Sequence, residues 1–208
     1  MSSIPTSPAD EKRALRERLL AARARVPPEE RAAASRAIAE RLESLPAWRE
    51  ARTVALYAAM GAEVDTAELA RRALSAGKRI AWPRLAPSGP AMEFAACASA
   101  ELVMGPARAL EPPHSAPPVP IDTIDLVVVP GVAFDARGGR LGRGRGHYDA
   151  TLAQFPRGTF RVGLAFESQL VSAVPSEPQD EPLDAVVTEA RVLPAGDGHG
   201  AGPGAGPG

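Results

Sequence analysis

Residues 140–152 read RLGRGRGHYDATL, with Gly142, Gly144 and Gly146 interleaved with Arg143 and Arg145 directly ahead of His147, Tyr148 and Asp149. Glycine at every second position lets backbone amides converge on an anion, because no Cβ blocks the approach and positive φ costs little. Arg140, Arg143 and Arg145 add planar donors that match phosphate oxygens. A helix beginning near His147 would aim its unpaired amides at the same point, and Asp149, one turn in, could hold a magnesium ion bridging the phosphates. The pattern is neither GxxxxGK(S/T) nor GxGxxG, so neither common nucleotide fingerprint applies. Three readings compete: an oligophosphate site, a structural glycine-rich turn with solvated arginines, or a single-stranded nucleic-acid surface. The first is favoured. The last is weak, because such surfaces interleave aromatics to stack bases, and aromatics are only 4% of this chain.

Other residues have a plain reading beside a chemical one. Lys12 could be a solvated helix residue, Glu63 an ordinary loop acid after the first strand, and Asp180 a solvated charge in the loop SEPQDEPLD. His147 could simply cap its helix. His114 and His199 have no zinc-ligand spacing around them, and no serine stands in a GxSxG nucleophile elbow.

The elements that must carry these residues show an α/β pattern. Ser7-Pro8-Ala9-Asp10 combines a hydroxyl cap, an early proline and an acid at the positive end of a helix running to about Arg25. Its expected buried stripe is Leu15, Leu19 and Ala22, with Lys12 and Arg16 sharing another face. A second helix restarts at Pro27-Pro28-Glu29-Glu30 with Ile38, Leu42 and Leu45 inward. TVALYAA (53–59), a helix opened by Asp65 and Glu68 and closed by Gly77, and RIAWP (79–83) form a βαβ unit.

MEFAAC (92–97) is a weaker strand, and the proline-rich stretch 109–120 reads as an irregular surface connection. The β-branched run DLVVVP (125–130) is the expected centre of a parallel sheet covered on both faces. A helix over 147–155 and strands FRVGLAF (160–166) and DAVVTE (184–189) follow. The expectation is a three-layer α/β/α fold with an open, mostly parallel sheet. It forms a single domain over 1–193, followed by a disordered glycine- and proline-rich tail over 194–208. In such sheets ligands bind beyond the carboxyl ends of the strands, which is where the glycine–arginine loop lies.

Composition limits the partners. A net charge of −1 over 208 residues removes any general electrostatic reason for nucleic acid or an anionic membrane surface. Cys97 is alone, so an intrachain disulfide scaffold is excluded. Neither a signal-peptide pattern nor a membrane-length apolar run occurs, which makes the cytoplasm the expected compartment; a monomer is the expected state.

Taken together, IDLVVVPGVAFDARGGRLGRGRGHYDATL, RVGLAFESQLVSAVPSEPQDEPLDAVVTE and KRALR near the start resemble the 5-formyltetrahydrofolate cyclo-ligase family over about residues 10 to 191. The resemblance implies a three-layer fold and an ATP- and magnesium-dependent ring closure. The formyl oxygen of 5-formyltetrahydrofolate is phosphorylated, N10 attacks the activated carbon, and phosphate leaves to give 5,10-methenyltetrahydrofolate. A non-catalytic folate or nucleotide binder of the same fold is the alternative. The resemblance further implies that Lys12, Arg13, Ala14, Leu15 and Arg16 contact ATP. Arg140, Leu141, Gly142, Arg143, Gly144, Arg145, Gly146, His147 and Tyr148 form the phosphate loop. Met60, Glu63 and His147 meet the folate, and Asp149 and Asp180 hold magnesium. Lys12, Arg143 and Arg145 are the expected stabilisers of the transferring phosphoryl group. Two residues depart from the family's usual G-K-G-Y-Y-D: Arg145 stands for the lysine and His147 for the first tyrosine.

Overall fold

The computed structural model describes residues 7–177 and 180–195; the expected tail from 196 onward lies outside the described residues. Among the described residues there are five α-helices: α1 (Pro8–Ala24), α2 (Pro28–Ser44), α3 (Pro46–Glu50), α4 (Ala67–Ser75) and α5 (His147–Leu152). The strands are β1 (Thr53–Ala55), β2 (Arg79–Leu85), β3 (Met92–Ala95), β4 (Val103–Met104), β5 (Leu110–Glu111), β6 (Leu126–Val129), β7 (Ala133–Phe134), β8 (Arg140–Leu141), β9 (Phe160–Leu164), β10 (Ala185–Val187) and β11 (Val192–Pro194).

Seven strands form one sheet in the order β11-β10-β9-β6-β1-β2-β3. The five inner strands run parallel, and each edge adds an antiparallel strand, β11 against β10 and β3 against β2. β6 sits at the centre with all four residues buried, as its unbroken β-branched run requires. Side chains alternate across the sheet. Val54, Ile80, Leu126 and Val128 meet Ile38 and Leu42 of α2, Trp48 of α3 and Leu69 of α4. On the other face Ala55, Ala81, Val127 and Val129 meet Phe94, Phe134, Leu152 of α5 and Phe155. Both faces are therefore covered, but the second layer is mostly irregular chain, with α5 only six residues long.

Several expectations shift. Helix α5 ends at Leu152 and not at Phe155, and Leu45 serves as the boundary residue between α2 and α3, a short helix built around buried Trp48. Thr66, not Asp65, occupies the N-cap of α4, and Glu68 turns to Arg71 instead of closing a capping box. Stretch 109–120 is not purely superficial: Ala116 and Val119 are buried, and Val119 N donates to Phe94 O (2.8 Å), so the segment seals the free edge of β3. At the other end, Pro194 pairs with Ala185 and Ala195 N donates to Asp184 O (2.9 Å), so the sheet continues past 193 into what was expected to be tail.

Helix α1 departs most. Ser7 caps it as expected, its Oγ accepting from Asp10 N (3.2 Å). Its inward face, however, is Lys12, Leu19 and Arg23, with Arg16 partly covered, while Ala22 is exposed. The helix rests on Val132, Ala133 and Leu141 of the β7–β8 hairpin and on Val174.

Candidate active site

From β1 the chain passes to β2 on one side, while β6 leads through β9 and β10 to the other, so the sheet reverses direction between β1 and β6. A cavity of about 640 Å³ opens beyond the carboxyl ends of these strands, lined by Tyr57 and Ala58 after β1, Pro83–Leu85 of β2, and Pro130 and Gly131 after β6. This is the crevice that a doubly wound sheet offers a ligand.

Four distant segments close it. Helix α1 supplies Lys12 and Arg16, the turn after β1 supplies Met60 and Glu63, residues 140–149 form one wall, and Glu177 and Asp180 stand opposite Lys12. Short strands β4 and β5 contribute Leu110 and Glu111 at the rim, where Val103, Met104 and Leu110 expose apolar surface.

Within the basic segment of α1 the roles separate. Arg13 is exposed and pairs with Asp10 at 2.7 Å, Ala14 faces solvent, and Leu15 packs against the hairpin, so none of the three lines the cavity. Lys12 Nζ lies 2.9 Å from both Glu177 Oε2 and Asp180 Oδ2. Burial works to lower the Lys12 pKa, but hydrogen bonds and charge from Asp180 and Glu177 outweigh it and hold the ammonium above its usual range. It stays a cation with three donors, and two are spent on these carboxylates. Arg16 Nε donates to Gly142 O at 2.8 Å and so ties α1 directly to the loop.

The three loop arginines differ. Arg140 is buried, its Nη2 on Asp149 Oδ1, its Nη1 reaching Pro130 O (3.4 Å) and its plane 5.7 Å from the Tyr148 ring. Its two terminal nitrogens are thus held by protein partners and brace the wall, while its buried Nε has no partner among the described residues. Arg143 forks onto Glu63 Oε1, with Nη2 at 2.8 Å and Nε at 3.1 Å. Arg145 lines the cavity, is exposed, and makes no hydrogen bond or ion pair with described residues. Gly144 and Gly146 take φ of +92° and +70°, the left-handed region that side chains resist; Gly146 is the N-cap of α5.

Glu63 is almost enclosed, and its Oε2 accepts from Met60 N at 2.9 Å. Tyr148 is half-buried in the cavity wall, and desolvation there, with the charge of Glu63, pushes its pKa well up against the opposing pull of Arg140, so it remains a neutral donor. His147 Nδ1 lies 2.8 Å from Pro90 O, joining α5 to the β2–β3 connection. Met92 N donates to Thr151 Oγ1 (2.9 Å) and strengthens that join. His147 therefore has a structural partner, and it is not the cap of α5, a place that Gly146 holds.

Asp149 and Asp180 both reach the cavity, each already bound to a cation, Arg140 and Lys12 respectively. Asp149 Oδ2 and Asp180 Oδ1 take no hydrogen bond from a described residue. Among the described residues no group of three or more His, Cys, Asp or Glu could hold a metal alone.

Arg23 escaped the sequence reading. It is buried, and its Nη1 donates to Gly131 O at 3.1 Å. Burial lowers its pKa, while the charge of Glu63 opposes that shift. The signal was present in the sequence: Lys12, Arg16, Leu19 and Arg23 recur at i, i+4, i+7 and i+11, one face of a helix.

Comparison with known proteins agrees with this geometry. Residues 8–189 match the model of the 5-formyltetrahydrofolate cyclo-ligase family. The chain is 37% identical over 169 residues to 5-formyltetrahydrofolate cyclo-ligase of Escherichia coli K12, covering 79% of this chain and 93% of that one. It is 31% identical over 181 residues to the Saccharomyces cerevisiae protein of the same name, covering 75% and 84%. Among solved structures, Aquifex aeolicus 5,10-methenyltetrahydrofolate synthetase superposes with a TM-score of 0.79 at 33% identity, covering 92% of this chain and 96% of that one.

Proposed function

The chain belongs to the 5-formyltetrahydrofolate cyclo-ligase family, and from that premise we propose how its cavity performs the ATP-dependent closure of 5-formyltetrahydrofolate to 5,10-methenyltetrahydrofolate. It is an enzyme of the ligase class, with ATP as co-substrate. A single observation carries the assignment of residues. Lys12 and Arg16, Met60 and Glu63, the loop 140–149, and Asp180 come from remote parts of the chain yet line one cavity.

In this reading the triphosphate lies between α1 and the loop. Lys12 offers its remaining donor, Arg145 and Arg143 supply guanidinium groups, and Gly142–Gly146 permit close backbone approach. Arg16 acts twice, as a nearby cation and as the tie that fixes Gly142. Glu63 accepts from the donors of the pterin ring, with Met60 and His147 beside it, and the neutral Tyr148 hydroxyl donates toward the reacting groups. The formyl oxygen attacks the γ-phosphorus and ADP leaves. N10 then attacks the activated carbon and loses its proton, and phosphate departs. Phosphorylation turns a poor leaving oxygen into a good one, while the cations neutralise charge on the transferring group. Holding the two substrates together removes the entropic cost of their encounter. No side chain forms a covalent intermediate.

Magnesium belongs to the proposal. Asp149 Oδ2 and Asp180 Oδ1 suit an ion that arrives with phosphate and water oxygens and needs only one or two carboxylates. Such an ion would supply further neutralisation of phosphate charge; the protein's part is to hold the two carboxylates in place through Arg140 and Lys12. The protein is further proposed to act as a cytoplasmic monomer without nucleic acid or membrane; among the described residues no helix is long and apolar enough to cross a membrane.

Mixing the protein with 5-formyltetrahydrofolate and Mg-ATP tests the reading. The absorbance of the methenyl product should grow, and ATP should be consumed only when the folate is present. Folded protein and fresh substrate without product would overturn it.

A further inference from the structure

The ion pair between Arg143 and Glu63 joins two residues that the functional reading assigns to different substrates. Arg143 belongs to the phosphate loop and Glu63 to the folate wall, yet the guanidinium forks onto Glu63 Oε1 at 2.8 and 3.1 Å. Glu63 Oε2 is also engaged, by Met60 N at 2.9 Å. The acid therefore meets an incoming pterin with both oxygens already in use. The partners are unequal in freedom: the Glu63 side chain is 8% exposed and that of Arg143 is 45% exposed. Arg143 is the partner able to move. It stands between Gly142, whose carbonyl is pinned by Arg16, and Gly144 at φ +92°, a pivot that a side chain would stiffen.

A buried carboxylate that loses its only cation would be costly. Here a second cation is in reserve. Arg23 is buried behind the turn that carries Glu63, and with Arg143 it walls a smaller recess against Met60 and Gly61. Glu63 acts on Arg23 as an attracting charge and Arg143 acts on it as a repelling one. Departure of Arg143 would leave Glu63 still within the attraction of Arg23 and would relieve the repulsion between the two arginines.

We propose that Arg143 is shared between the two substrates: the triphosphate draws it from Glu63, which frees that acid for the pterin, so that nucleotide and folate each strengthen the binding of the other. This rests on the functional reading above and adds to it a coupling between its two halves. The ion pair is broken once for both ligands, so whichever binds first bears that cost and the second does not. Linkage makes the effect reciprocal.

The experiment is calorimetric titration of a non-hydrolysable ATP analogue with magnesium, and of 5-formyltetrahydrofolate, each alone and each with the other saturating. Each ligand should tighten the other by about fivefold or more, the lower end of usual coupling energies. Two variants give the distinguishing pattern. In Arg143→Ala the analogue binds more weakly, but folate alone binds at least as tightly as to the unaltered protein, and the coupling factor falls to about one. In Glu63→Gln the folate binds more weakly, the analogue alone binds at least as tightly, and coupling is again lost. A coupling factor of one in the unaltered protein, with both ligands bound, would overturn the sharing of Arg143 while leaving the functional reading intact. So would undiminished coupling in either variant. Failure of both ligands to bind would overturn the reading itself and the inference with it.

Discussion

Helix α4 packs by an apolar face, with Leu69, Ala70 and Ala73 buried beside Ile80 and Trp82 of β2. Helix α1, nearly twice as long, turns Lys12 and Arg23 inward beside Leu19 and fastens itself by polar bonds to three different loops. Those bonds are Lys12 to Glu177 and Asp180, Arg16 to Gly142, and Arg23 to Gly131. Apolar burial holds a helix without regard to direction, and the free energy scales with area. Buried cations are costly unless each finds a partner. A helix that accepts this cost twice, at Lys12 and Arg23, and ties the partly covered Arg16 to a third wall of the same cavity is organised for the ligand more than for the core.

The contrast can be broken or sharpened by substitution. Leu69→Ala should have the largest effect on folding, a loss of about 2–5 kcal/mol in denaturant unfolding, with turnover of the folded fraction unchanged. A loss of turnover without a loss of stability would place α4 in the site. Arg145→Ala should show the reverse. Turnover falls about a hundredfold, equivalent to about 2.7 kcal/mol of transition-state stabilisation, while the unfolding free energy stays within about 0.5 kcal/mol. A large drop in melting temperature would make that arginine structural.

The same contrast explains what could be read from the sequence. Core elements announce themselves by periodicity. The run Leu126–Val129, the βαβ unit around α4 and the strands after it were legible because their side chains answer to one force. Placement of the glycine–arginine loop at the cavity was legible too, from glycine spacing and the strand before it. The face of α1 was legible only in part, through Leu15 and Leu19, which pack on the hairpin. An apolar-stripe rule selects Leu15, Leu19 and Ala22, whereas partners remote in sequence pull Lys12 and Arg23 inward and leave Ala22 outside. The partner of Arg140 was not legible either. Its attachment to Asp149 depends on how the β7–β8 hairpin meets α5, which local spacing does not encode.

Two smaller substitutions probe α1 itself. Ser7→Ala removes the hydroxyl that accepts from Asp10 N and should cost about 1 kcal/mol, seen as earlier fraying of the first turn in hydrogen exchange. Ala22→Glu, on the face that sequence periodicity alone would bury, should change stability by less than about 0.5 kcal/mol. A severe loss there would restore the apolar-stripe reading of this helix.

The central claim is that the inward basic face of α1 is part of the nucleotide site, and the affinity of a Lys12→Met variant for a non-hydrolysable ATP analogue with magnesium tests it most directly. The dissociation constant should rise by about tenfold or more, the worth of one charge-assisted hydrogen bond. An affinity equal to that of the unaltered protein would show that α1 closes the cavity without touching what it holds.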